Sequence, residues 1–331
     1  MKYYFTTEKR VDYNAGTKAV NDTNQILDGL GYKPLKLGTF RRDKSWRCLK
    51  LKELSDLFIL LFCKSSNDIY FLQWPFYHLI QFKLILWCIK IKCKHLQILI
   101  HDINSLRGLD CHMGKDDDEI SIFRHAELLI VHTEKMKEYI VSCGIDSNKI
   151  KVLTSFDYLT NDSINSVTIN SNTLIYAGNL LKSSFLNEIK KSHNIILNCY
   201  GKEMPYSSPH LIYKGAFQAE NVSKLEGSWG LVWDGISTSS CKGDFGNYMQ
   251  YNSPHKLSLY IAAGFPIIIW NKSGLAEYIT LNNLGIVVNS IDDIYYAINQ
   301  ITEEQYQTMI ENVKKESIKL RSGSHLKKYL V

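Results

Sequence analysis

The hydrophobic pattern alternates between two periods along the chain. Short apolar runs of strand character fall at 3–6, 34–37, 69–73, 96–100, 128–132 and 150–153. Between them lie segments at 17–30, 46–63, 78–92, 116–125 and 133–143 in which apolar residues recur at helical spacing. Thr133 stands where an N-cap belongs, and Gly31 and Gly144 stand where a helix should stop. Such a βαβα order predicts a parallel sheet with helices on both faces.

From 154 to 172 Ser, Asn, Asp and Thr dominate and no period survives, which marks an interdomain linker. The pattern then restarts. Strands are expected at 173–176, 195–200, 211–213, 230–233, 266–270 and 286–288, and helices at 183–191, 219–225, 254–263, 275–281, 292–301 and 303–320. No short repeat is present, which excludes a solenoid. The fold class is therefore α/β, with two Rossmann-like domains facing a central cleft, the first over 1–160 and the second over 170–304. In open parallel sheets, ligands bind beyond the carboxyl ends of the strands, so the loops after strands are where chemistry is expected.

Composition narrows the partners. The 331 residues are 45% hydrophobic and 22% charged with only six prolines, which suits packed domains and excludes a disordered or fibrous chain. A net charge of +6 favours anionic partners. No long Lys/Arg run or nucleic-acid motif occurs, so no nucleic acid is expected. The eight cysteines (Cys48, Cys63, Cys88, Cys93, Cys111, Cys143, Cys199, Cys241) show no CxxC spacing and read as buried thiols in a reducing compartment. The apolar stretch 57–63 is too short to cross a bilayer, and 79–93 is broken by Lys83, Lys90 and Lys92. With no signal-peptide pattern at the N-terminus, the expectation is a cytoplasmic protein without a transmembrane segment.

Five loops carry candidate chemistry. Asn14-Ala15-Gly16-Thr17-Lys18 reads either as a tight turn with Thr17 as N-cap or as an anion-accepting helix start. Tyr176-Ala177-Gly178-Asn179-Leu180 offers a glycine turn, with Lys182 close behind as a point charge for a phosphate. Asn252-Ser253-Pro254-His255-Lys256 opens a helix, with Ser253 as the expected N-cap. A lysine at a helix N-terminus is unfavourable unless an anion joins it, a conflict that a diphosphate would resolve. His101-Asp102, at a strand end, supplies either a general base with its orienting imidazole or an Asp paired with Arg107. Asp234, in Trp233-Asp234-Gly235, suits sugar hydroxyls, a base, or an ordinary Asp-Gly turn. Phe217 reads as core or as a nucleobase contact. The acidic run Asp116–Glu119 reads as a helix first turn rather than a metal site, and the lysines at 90, 92 and 94 as a solvated face, a basic patch or a membrane-facing side.

Taken in order, these blocks resemble a family. The stretch Pro254-His255-Lys256-Leu257 … Ala262-Ala263-Gly264-Phe265-Pro266-Ile267-Ile268 is similar to the nucleotide-phosphate segment of GT-B glycosyltransferases. Together with Asn14–Ala19, His101-Asp102-Ile103 … Leu106-Arg107, Tyr176–Leu180, Trp229–Gly235 and Tyr251–Lys256, it resembles one bacterial subfamily. That group comprises the glucosyltransferases that extend O-linked GlcNAc on serine-rich repeat adhesins and the β-1,6-galactofuranosyltransferases of polysaccharide synthesis.

The resemblance implies a metal-independent hexosyltransferase with no cofactor, using a UDP-sugar as donor, often as a homo-oligomer. It places the nucleotide on the second domain, at Gly178, Asn179, Lys182, Phe217, Asp234, Asn252, Pro254, His255 and Lys256, with Gly16 and Thr17 from the first loop. Asn14 and Arg107 would serve the acceptor, and His101 and Asp102 catalysis if the reaction inverts. The helix at about 305–331 would pack back on the first domain. The implied reaction moves glucose from UDP-glucose onto a GlcNAc-bearing acceptor, a glycosylated protein or glycan. Galactofuranosyl or GlcNAc transfer in polysaccharide synthesis, a UDP-sugar epimerase or hydrolase, and a non-catalytic glycan-binding subunit are the alternatives. One departure stands out: where many GT-B enzymes hold ribose with a Glu three residues after the lysine, this chain has Leu259, and Glu277 is a distant substitute.

Overall fold

The computed structural model describes residues 1–6, 15–36, 58–62, 64–75, 82–107, 117–167 and 169–330. Asn14, Asp116, three of the cysteines (Cys48, Cys63, Cys111) and most of the helix expected at 46–63 lie outside them. The chain divides into two compact units. One comprises Met1–Val11, Thr23–Leu153 and Tyr329–Val331; the other comprises Asp12–Asp22 and Thr154–Lys328.

The first unit holds β1 (Lys2–Thr6), β2 (Lys33–Lys36), β3 (Ile69–Trp74), β4 (His95–Ile100), β5 (Leu128–Val131) and β6 (Ile150–Val152). They form one parallel sheet in the order β2-β1-β3-β4-β5-β6. The central strands are buried on both faces: Tyr70, Phe71, Leu72 and Trp74 of β3 are fully covered, as parallel strands between helical layers must be. The helices are α1 (Ala15–Gly29), whose first turns belong to the other unit, α2 (Phe82–Lys92), α3 (Asp117–His125) and α4 (Glu134–Ser142). Thr133 caps α4 as expected, its Oγ1 accepting from the Met136 N–H at 3.1 Å, and Gly144 takes the left-handed φ of +82° that ends it.

The second unit holds β7 (Thr173–Ala177), β8 (Ile196–Tyr200), β9 (Leu211–Gly215), β10 (Trp229–Val232), β11 (Ile267–Trp270) and β12 (Gly285–Val288). These strands are again all parallel, in the order β12-β11-β10-β7-β8-β9. Its helices are α5 (Gly243–Tyr248), α6 (His255–Ala263), α7 (Ala276–Leu281), α8 (Ile294–Asn299), α9 (Glu303–Arg321) and α10 (Ser324–Leu330), whose last residues belong to the other unit. Helix α6 lies close on the sheet because Gly230 has no side chain. A Cβ there would sit 2.4 Å from the Tyr260 ring.

Two expectations differ from the structure. In place of the helix expected at 183–191 stands the 3₁₀ turn Ser184–Glu188, preceded by another at Leu180–Lys182. Ser183 joins them, its Oγ held 2.6 Å from the Tyr176 hydroxyl and donating to the Asn179 carbonyl at 3.1 Å. These side-chain bonds compete with a regular helical ladder. The helix expected at 219–225 is likewise one 3₁₀ turn, Val222–Lys224. The long helix α9 packs on α6 within the second unit. Its apolar stripe of Tyr306, Met309, Ile310, Val313 and Leu320 is part of that unit's core, and Tyr306 donates to the Ser228 carbonyl at 2.6 Å.

Segment 154–172, read as a linker, is also packed on the second unit. Asn165 donates from Nδ2 to the Val222 and Ala263 carbonyls at 3.1 and 3.0 Å, and Tyr158 donates to the Ala219 carbonyl at 2.5 Å.

Candidate functional site

Strand order locates the site before any side chain does. From β7 the chain runs outward through β8 and β9; it then returns to β10, beside β7, and runs the other way through β11 and β12. The reversal falls between β7 and β10. At such a switch point the loops leaving neighbouring strands diverge and open a crevice at their carboxyl ends.

Lys256 reaches that point. It stands second in α6, and its Nζ donates to the Trp233 carbonyl and Asp234 Oδ1, each at 2.9 Å, just past β10. Its third contact is the Tyr176 hydroxyl of β7 at 3.1 Å. All three ammonium donors are thus engaged, with the lysine side chain 12% exposed and that of Asp234 28%. The charge conflict of a lysine in a helix first turn is met within the protein, by Asp234. Tyr176 stays a neutral phenol, because burial and then the nearby Asp234 charge push its pKa well above the ordinary value. The result is a cation whose position is set by three protein acceptors in a poorly hydrated place.

The surrounding backbone is drawn in closely. Gly178, at φ +150°, takes a conformation open mainly to glycine, and its N–H is bound to the Tyr200 carbonyl at 2.9 Å. Gly235, at φ +110°, lies so near α5 that a Cβ would be 2.3 Å from the Lys242 carbonyl oxygen. Tyr260 accepts from the Ala177 N–H at 2.7 Å, which joins α6 to the end of β7. Lys182 lies with Nζ 4.8 Å above the Phe245 ring. Ser253 does not cap α6: the N-cap is Pro254, in extended conformation with no side-chain cap bond. Ser253 stands one residue too early, and its buried Oγ has no hydrogen-bond partner; the same holds for Asn252 Oδ1.

A second convergence links α6 to the first loop. The His255 ring packs 5.1 Å from Tyr158 and 5.6 Å from Phe156. Tyr158 in turn lies under the Lys18 ammonium at 4.9 Å. Lys18 donates to Asp22 Oδ1 and to the Leu159 carbonyl, each at 2.5 Å. The starts of α1 and α6, two loops flagged separately by sequence, are thus brought together by a residue that was not flagged, Tyr158. Burial pushes the Asp22 carboxyl up to about 6 against the opposing pull of Lys18.

In the first unit, His101 and Asp102 follow β4. His101 Nε2 lies 2.8 Å from Gln73 Oε1, and Gln73 donates to Asn24 Oδ1 at 2.8 Å. Burial lowers the His101 pKa to about 4, so its imidazole is neutral near pH 7. Asp102 accepts from Arg107 at 2.9 Å, the pairing that sequence offered as one alternative. The turn that carries them is fixed by Glu119, buried in α3. It accepts from the Trp74 indole at 2.7 Å, the Asn104 N–H at 3.0 Å and the Ser105 hydroxyl at 3.1 Å. Sequence placed Glu119 only in an acidic first turn.

Comparisons with known proteins place the chain in a family. Two family models, the N-terminal and C-terminal domains described as glucosyltransferase 3-like, match residues 2–154 and 174–331. The chain belongs to the glucosyltransferase 3-like family. It is 34% identical to the β-1,6-galactofuranosyltransferase WbbI of Escherichia coli (strain K12), over 77% of this chain and 74% of that one. It is 28% identical to glucosyltransferase 3 of Streptococcus gordonii, over 73% and 72%. Among solved structures it matches sucrose-phosphate synthase of Thermosynechococcus elongatus, with TM-score 0.62 and 11% identity over 99% and 97% of the two chains. It also matches Anabaena HepE in complex with UDP and glucose, with TM-score 0.57 and 10% identity over the whole of both. The fold is GT-B, and the chain is a sugar-transferring enzyme.

For a glucosyltransferase 3-like protein, the remaining residues fall as follows. Gly16 and Thr17 lie in the first turn of α1. Phe217 is half-buried, edge-on to Tyr200 at 5.6 Å. Leu259 is a core side chain, and Glu277 is exposed in the first turn of α7. Among the described residues no three His, Cys, Asp or Glu side chains gather as a metal site, and no helix is long and apolar enough to cross a membrane.

Proposed function

We propose that this enzyme transfers a hexose from a UDP-sugar, glucose from UDP-glucose in the first instance, to a GlcNAc-bearing glycan acceptor such as an O-glycosylated serine-rich repeat protein. The observation that carries the reading is Lys256, fixed at the β7–β10 switch point beside the N-terminus of α6. A departing UDP gains negative charge on its diphosphate. An ammonium already held in place meets that charge without reorganising, and helix N–H groups add to it. The unpartnered oxygens of Asn252 and Ser253 are acceptors and, for Ser253, a donor suited to nucleotide polar groups. Asp234 acts here as the anchor of Lys256. For inverting chemistry the proposed base is Asp102, with neutral His101 beside it.

Glucose is supported by the family and by the S. gordonii relative. The E. coli relative favours a second donor, UDP-galactofuranose. The test is UDP release from UDP-glucose, UDP-galactofuranose and UDP-GlcNAc, with chelator present, with and without a GlcNAc-capped peptide. Acceptor-dependent release from UDP-glucose supports the first reading, and from UDP-galactofuranose the second. Release without acceptor indicates a hydrolase. UDP binding with no release indicates a binding subunit.

A further inference from the structure

The described part of the first unit carries an apolar face that its core does not use. Residues 58–62 are helical and tied to the end of α2 by Lys92, whose Nζ donates to the Leu61 carbonyl at 2.7 Å. Leu60, Cys88 and Ile89 turn inward and are buried. The opposite faces present Phe58, Ile59, Phe62, Trp87 and Ile91 to solvent, with Phe62 71% and Trp87 56% exposed. The Phe58 and Phe62 rings lie 4.7 Å apart, and Trp87 and Ile91 are one helical turn apart, so each helix shows a continuous apolar edge. Exposed large aromatics in such a cluster mark an interaction surface.

Charge selects the occupant. Among the described residues, neither 58–62 nor α2 contains an acidic side chain, and α2 ends in Lys90 and Lys92, with exposed Lys94 just beyond. Among the described residues none of these lysines is ion-paired with a carboxylate. A second copy docking by two-fold symmetry would set lysines against lysines. An anionic lipid surface takes both features together: the aromatic edges enter the headgroup–acyl boundary and the positive charge of Lys90, Lys92 and Lys94 attracts the phosphates. Helix α2, eleven residues and roughly 16 Å long, lies in that plane and is too short to span it.

We infer that the outer face of residues 58–62 and α2 docks the enzyme on anionic lipid bilayers. The test is cosedimentation of the full chain with vesicles of equal parts phosphatidylglycerol and phosphatidylcholine, and with phosphatidylcholine alone. Expected is binding to the anionic vesicles that weakens in ~1 M salt and falls about tenfold or more in Phe62→Ser/Trp87→Ser. Ile236→Ser, an exposed apolar site of the second unit, should bind as wild type does. Quenching of Trp87 emission by brominated lipid reads the same contact without the double variant, and loss of that quenching in Trp87→Phe assigns it.

Absence of wild-type binding to anionic vesicles overturns the inference. So does equal binding by wild type and the double variant. So does light scattering that shows an oligomer broken to monomers by the double variant, which would make the face a contact between copies.

Discussion

Asp234→Asn separates two roles that one carboxylate could play. The structure gives Asp234 a positioning role: its Oδ1 lies 2.9 Å from the Lys256 ammonium. Asparagine keeps an oxygen at that place and removes the charge. Lys256 retains the Trp233 carbonyl and the Tyr176 hydroxyl. The lost attraction is that of a partly buried pair whose cation stays hydrogen-bonded, so the cost is about 1–2 kcal/mol, below that of orphaning a fully buried charge. For a domain of this size that lowers Tm by about 2–8 °C. UDP affinity should hold or rise, because the site becomes more positive, and turnover should fall less than about tenfold with an unshifted pH profile. General-base loss typically costs about 10²–10⁴-fold. Differential scanning fluorimetry with and without UDP, together with steady-state UDP release, measures all three quantities. A loss of turnover above about a hundredfold with Tm and UDP affinity unchanged would refute the positioning role and make Asp234 a reacting group.

Two further outcomes follow from packing and titration. Gly230→Ala places a methyl 2.4 Å from the fully buried Tyr260 ring. It should cost about 1–3 kcal/mol by overpacking and weaken UDP binding, since Tyr260 also holds the Ala177 N–H; thermal unfolding and UDP titration of the variant check both. The second concerns Glu316, which is bound by His325 at 2.8 Å. Burial opposes its charge, but donors from His325, Lys319 and Tyr278 win and hold it at about 2 against an ordinary 4.5. His325 is likewise raised above 6.5 despite burial, through Glu316 and Asp157. Glu316 therefore stabilises fully above pH 4.5 and loses this as pH falls through about 2; His325 stabilises fully below pH 6.5 and loses this as pH rises through its higher folded value. Glu316→Gln should flatten both limbs of a Tm–pH curve, and an unchanged curve would contradict the pairing.

The fold was legible because parallel strands buried on both faces leave unbroken apolar runs such as Ile98–Ile100 and Ile267–Ile269, whereas the elements between them read less surely. Helix α5 escaped because Gly243 and Gly246 weaken any helical signal; Gly246 is there because a Cβ would lie 2.6 Å from the Cys241 backbone. The 3₁₀ turns around Ser183 read as helix because spacing cannot show a side chain diverted to Tyr176. The loops at 178, 234 and 256 were each visible as strand-end or helix-start chemistry. That Asp234 neutralises Lys256 was not, because 22 residues separate them and only the β7–β10 adjacency brings both to one point. Tyr158 was invisible for a related reason. It sits in a stretch without period, and its importance comes from the Lys18 and His255 groups packed on either side.

The most direct test of the nucleotide site is calorimetric titration of UDP, with GDP as comparison, into wild type and Lys256→Met. Methionine keeps much of the buried stem and removes the charge. Wild type should bind UDP, and the variant should bind it at least about tenfold more weakly. Equal UDP affinity in the two proteins, both folded, would contradict it and leave Lys256 as a structural partner of Asp234 alone.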